Sequence, residues 1–137
     1  MHVAEPVRSA LRWRPRETGS AVADFVMVGA LVSVLFVAVF QVGLALYVRN
    51  TLIACAAEGA RFGARADVDP AQGVARAREL IEASLPHRFA RDVTAQVVEV
   101  DGVRVLSVRV VAPLPVIGPL GPDQGLDVVG RAFLERQ

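Results

Sequence analysis

Lysine is absent from this chain: all 15 basic residues are arginine. The bias reads as the codon usage of a high-G+C genome rather than a functional choice, although arginine also pairs carboxylates better than lysine does. Formal net charge is only +1, which excludes a basic patch of the size that nucleic-acid binding needs. Cysteine is nearly absent too. Cys55 stands alone, so no intramolecular disulfide can form and the fold has to hold by packing. His2 and His87 are the two histidines, and with one cysteine they cannot by themselves build a structural zinc site. No glycine loop has the phosphate-binding pattern, because Gly118 and Gly121 sit among prolines. Ser84 and Asp92 near His87 make no nucleophile motif. These absences point away from an enzyme, a metal site and a cofactor.

Charge is also missing from one long stretch, Phe25 to Val48. A helix of that length spans about 36 Å, enough to cross a hydrocarbon core of about 30 Å with some tilt. A buried helix in a soluble core is the competing reading, but such helices seldom run so long without a charge. Ser33 and Gln41 are its clearly polar side chains, and Gly29 and Gly43 leave room for another backbone. Arg8, Arg12, Arg14 and Arg16 precede the span, against Glu5 and Glu17. The positive-inside rule then makes residues 1–19 a cytoplasmic basic leader and places the C-terminal part outside, with Arg49 weakening the asymmetry slightly. The leader carries Pro6 and Pro15, has no sustained period and is expected to be disordered.

A removable secretory signal does not fit, since the apolar run far exceeds the roughly 7–15 residues of such a segment. Ala64-Arg65-Ala66 has the small-residue pattern of a cleavage site but lies too far beyond the run. Leu52-Ile53-Ala54-Cys55 has the form of a lipoprotein box, yet Arg49-Asn50-Thr51 separates it from the run. Cys55 therefore reads as an inert small helix residue.

The junction before the run is Arg16-Glu17-Thr18-Gly19-Ser20-Ala21-Val22-Ala23-Asp24-Phe25. An acid at the mouth of a membrane helix carries a desolvation cost and is a functional candidate by default. The other reading of Asp24 places it in the first helical turn, where it complements the helix dipole.

This spacing resembles a type IV prepilin cleavage site, with Gly19 last in the leader, Ser20 first in the mature chain and an acid at mature position five. The resemblance implies that a membrane-embedded prepilin peptidase cuts after Gly19 on the cytoplasmic side. It also implies that the apolar helix is retained and packs with other pilins in a filament core. Such a cut creates an α-amine at Ser20 with a pKa of about 8, a partner for Asp24 one turn away or on a neighbouring subunit. The acid in that family is usually Glu; Asp24 is one methylene shorter.

The stretch Tyr47-Val48-Arg49-Asn50-Thr51-Leu52-Ile53-Ala54-Cys55-Ala56-Ala57-Glu58-Gly59-Ala60-Arg61-Phe62-Gly63-Ala64 is similar to the post-membrane helix of TadE-like proteins, pseudopilins of tight-adherence pilus systems. Asn50, Glu58, Gly59, Arg61 and Phe62 carry the pattern, and the resemblance covers about Gly19 to Ala66. It implies a minor pilin or pseudopilin that acts in assembly of a tight-adherence type pilus. Its partners would be a prepilin peptidase, other pilins and the cytoplasmic membrane, with Asp24 and Phe25 at the assembly surface. The alternative is an uncleaved single-pass anchor presenting a small extracytoplasmic binding domain.

Elementary physics gives the same residues modest roles. Glu58 and Arg61 can pair on one helix face, worth only about 0.2–0.5 kcal/mol. Gly59 with Gly63, and Ala56 with Ala60, form small-residue stripes that accept a second helix, either of another subunit or of this chain's own outer domain.

The first helix is expected over 20–66, spanning the membrane at about 25–48, and residues 67–137 are expected to form an extracytoplasmic α+β domain. Asp69 as N-cap and Pro70 at N1 open a second helix to about Ser84, with Val74, Ala77, Leu80, Ile81 and Leu85 on one face, and Pro86 ends it. Asp101-Gly102 between two β-rich runs predicts a two-residue hairpin of type I′. The partners then pair Val93 with Val110, Ala95 with Val108 and Val97 with Leu106 on an apolar face that covers the second helix and ends at Glu99 with Arg104. Thr94 with Arg109 and Gln96 with Ser107 fall on a largely polar face. A Pro/Gly-rich loop follows from Pro113 to Gly125, then a final strand over 126–134 broken by Gly130. The sum is a pilin-like α+β fold with a three- or four-stranded antiparallel sheet.

Overall fold

A computed structural model describes Met1, residues 18–116 and residues 125–135. The leader over 2–17 and the centre of the Pro/Gly loop, 117–124, lie outside the described residues. The elements are α1 (Thr18–Gly63), α2 (Pro70–Ser84), a short 3-10 turn (His87–Ala90), and strands β1 (Asp92–Val100), β2 (Val103–Ala112) and β3 (Leu126–Phe133). The chain divides into two compact units, Met1–Phe36 and Val37–Gln137.

In the first unit, α1 exposes every side chain from Gly19 to Phe36. Its residues are almost all apolar, and no proline interrupts them. This one long apolar helix near the N-terminus is compatible with a single-pass membrane anchor.

In the second unit, α1 remains exposed through Phe40 and then acquires a covered face. Val48, Leu52, Cys55, Ala56 and Ala60 follow one another at steps of three and four, or one, which is the stripe of a 3.6-residue period. Leu52 is fully buried, a burial worth about 1.5–3 kcal/mol. The α+β body thus includes the last six turns of α1 as part of its core.

α2 forms as its sequence dictates. The Asp69 side chain accepts a hydrogen bond from the Ala71 backbone N–H at 2.8 Å, and Pro70 occupies the first turn. Ala77, Ile81 and Leu85 are buried, with Val74 and Leu80 half-buried beside them. Gly73 is buried as well. It was not on the expected face, yet Gly59 and Gly63 of α1 press on it. α1 and α2 therefore make a close antiparallel hairpin, and the small-residue stripes of α1 pack within this chain's own α+β body.

The sheet has three strands in the order β1-β2-β3, all neighbours antiparallel. The β1–β2 register has Val93 against Val110, Ala95 against Val108 and Val97 against Leu106, as the turn predicts. Asp101 and Gly102 have φ of 53° and 78°, the positive pair that a type I′ turn requires.

Four details depart from the sequence expectations. α1 ends at Gly63 rather than Ala66, because the Ala64 carbonyl accepts from the Glu135 N–H at 3.0 Å instead of from a further helical turn. β3 is not broken at Gly130; the glycine is there because β3 passes α1 at that point. Phe89 in the 3-10 turn is 2 % exposed and is the largest core side chain, although nothing in its short, periodless segment signals it. The outer sheet face is polar at one end only: Val98, Val100, Val103, Val105 and Phe133 gather at the other, with Phe133 73 % exposed.

Candidate assembly surfaces

The residues expected to matter form two sets in different units. Gly19, Ser20, Asp24 and Phe25 lie at the start of α1, all exposed, with Phe25 at 79 %. Among the described residues α1 runs from Thr18, and the Gly19–Ser20 bond lies within it. Asp24 is exposed within the described part of α1. Ser20 and Asp24 are four residues apart, on the same face of the helix.

The exposed stretch from Gly19 to Phe40 presents large side chains, including Phe25, Leu31, Leu35 and Phe36, beside open positions. A side chain added at Gly19, Gly29 or Gly43 would meet nothing within 4 Å. Ser33 does not disturb this surface, since its Oγ donates to the Gly29 carbonyl at 2.8 Å. Gln41 Oε1 is buried without a hydrogen-bond partner among the described residues.

The second set, on the part of α1 within the α+β body, is divided between surface and core. Asn50 is exposed. Glu58 and Arg61 form the expected pair at 3.5 Å on the surface. Gly59 instead faces inward, where a Cβ would lie 2.6 Å from the Gly73 carbonyl oxygen and 2.7 Å from Ala77 Cβ. Phe62 is half-buried, and the Arg65 guanidinium sits 5.3 Å from its ring centre. Gly59 thus belongs to the fold, and Asn50, Glu58 and Arg61 remain available to partners.

Cys55 is a free, buried thiol, and burial raises its pKa. A thiol so placed is protonated and inert at neutral pH. On the outer sheet face Arg109 holds Asp127 through two hydrogen bonds, one of them from Nε at 2.8 Å. This bonding lowers the Asp127 pKa and raises that of Arg109. His87 Nδ1 lies 2.6 Å from Glu82 Oε1 at the surface. Among the described residues no group of three or more His, Cys, Asp or Glu is placed to hold a metal ion.

Sequence reasoning missed the apolar end of the outer sheet face. Its signal was present as Val98 opposite Val105 and Val100 opposite Val103, but the partner Phe133 arrives from β3, whose register no local motif encodes.

A family model described as TadE-like protein matches residues 19–61, a stretch that takes in both sets of residues except Phe62. That family is a structural, pilus-associated one, and the likeness to it covers less than half of the chain, all of it within α1. No curated protein and no solved structure matches the chain.

Proposed function

We propose that the chain is a minor pilin or pseudopilin that acts in assembly of a tight-adherence type pilus. A prepilin peptidase cuts it after Gly19, and it joins other pilins through its apolar N-terminal helix. The observation that carries this reading is the coincidence of a TadE-like match over residues 19–61 with an apolar helix that is exposed from Gly19 to Phe40, directly after the Gly19–Ser20 junction.

The chemistry follows from that placement. Residues 1–19 form the cytoplasmic leader, and the α+β body lies outside the cytoplasmic membrane. Exposure supports a membrane-spanning stretch of about 20–41, because Val48 is already covered by the body; a helix of that length spans about 33 Å, close to the roughly 30 Å of a hydrocarbon core. Cleavage releases a charged α-amine at Ser20, one turn from the Asp24 carboxylate. Pairing of the two, within a subunit or between neighbours, neutralises both charges in a setting of low dielectric. Asp24 then guides assembly, and Phe25 with the residues after it supplies the packing surface.

Replacing Gly19 by leucine tests the reading. A peptidase that needs glycine at that position leaves only the longer precursor in the membrane fraction. A full-length wild-type chain favours the uncleaved anchor instead, and normal shortening of Gly19→Leu overturns the assignment of Gly19 as the cleavage residue.

A further inference from the structure

The α+β body carries an asymmetry of charge that pilus assembly through α1 leaves unused. α2 returns antiparallel to α1, since Gly73 meets both Gly63 and Gly59, and Ala77 meets Gly59. Leu85, near the end of α2, shares a core cluster with Leu52 and Val48. β3 also runs antiparallel to α1: Glu135 bonds Ala64, and Gly130 passes Ala56. The end of α2, the 3-10 turn and the start of β1 therefore lie at the basal end of the body, beside the part of α1 around Arg49.

At this basal end two acids are already engaged, Glu82 by His87 and Asp127 by Arg109. Arg49, Arg88 and Arg91 are exposed and have no ion pair among the described residues, against the single acid Asp92. The opposite end has the reverse balance, with Asp67, Asp69, Glu99 and Asp101 exposed against Arg65 and Arg104.

We propose that Arg49, Arg88 and Arg91 form a collar that binds the phosphates of anionic phospholipids and seats the basal end of the body on the bilayer surface. The proposal rests on the reading of α1 as a membrane span. Arg49 lies nine residues beyond Phe40, about 13 Å along the helix, within reach of the headgroup layer for a side chain that extends back toward it. Guanidinium groups bind phosphate oxygens in pairs, and an arginine near an anionic surface is worth about fivefold in occupancy of the seated state. The acidic far end is repelled by the same surface, so the charge asymmetry orients the body.

Hydrogen exchange on the full chain in lipid nanodiscs tests this. Amides of His87 to Asp92 should exchange about fivefold more slowly or better in discs containing about one-third phosphatidylglycerol than in phosphatidylcholine discs. The double variant Arg88→Gln/Arg91→Gln should lose that difference, and Arg65→Gln/Arg104→Gln should keep it. Equal exchange in both lipids, or an undiminished difference in the first variant, overturns the collar. Protection produced by inorganic phosphate in neutral discs overturns the lipid assignment in favour of a soluble anion. Protection that tracks the number of chains per disc, regardless of lipid charge, overturns it in favour of a second copy. If amides 20–40 exchange freely in every disc, the membrane span itself fails; if they are protected and those of 87–92 are indifferent to lipid charge, only the collar fails.

Discussion

A Cβ atom on Gly130 would lie 2.2 Å from the carbonyl carbon of Ala56, so β3 crosses α1 at direct backbone contact. The obstacle is main chain and cannot rotate away. Gly130→Ala must push the strand off the helix, at a cost of at least about 1–3 kcal/mol for an overpacked core. Denaturant unfolding of the full chain in micelles should show the loss in the α+β body. Gly43→Ala, at a position with open space, should show none.

Gly59 and Gly73 form the second close approach, each facing the other's carbonyl oxygen at 2.6 and 2.7 Å from a built Cβ. Gly59→Ala and Gly73→Ala should each destabilise the helix pair. The two substitutions enlarge the same contact, so their combined effect should differ from the sum of the singles. A double-mutant cycle on unfolding free energies measures this, and strict additivity would argue against a shared contact.

Asp69→Ala removes the cap on Ala71 and should cost about 1 kcal/mol, while Asp69→Asn should retain most of the stability. The midpoint of thermal unfolding followed by circular dichroism distinguishes the two.

The Arg109–Asp127 pair sets a pH dependence. Asp127 has a lowered folded pKa, so its contribution is present above the ordinary aspartate range and is lost as pH falls through the lowered value. Stability should therefore decline on acidification, and less steeply in Asp127→Asn. Both side chains are exposed, so added salt should flatten the difference. An unchanged acid limb in the variant would remove the pair from the account.

These relationships also mark what was legible in the sequence. The Asp101–Gly102 turn fixes its own register, because only a two-residue loop with positive φ joins those strands without splaying them. Asp69-Pro70 announces a helix start by local bonding alone. The apolar run of α1 is visible because no charge interrupts it. Phe89 and Gly73 were not legible, since their roles depend on elements distant in the chain that reach them only on folding. Gly130 was visible as an oddity, and its meaning as a crossing point needed α1 in place.

The account turns on the Gly19–Ser20 bond. Intact mass and N-terminal fragmentation of the protein extracted from membranes of a host carrying its prepilin peptidase measure that bond directly. The account predicts a chain beginning at Ser20, with Asp24 as its fifth residue. A chain that retains the residues before Gly19 in such a host would contradict it.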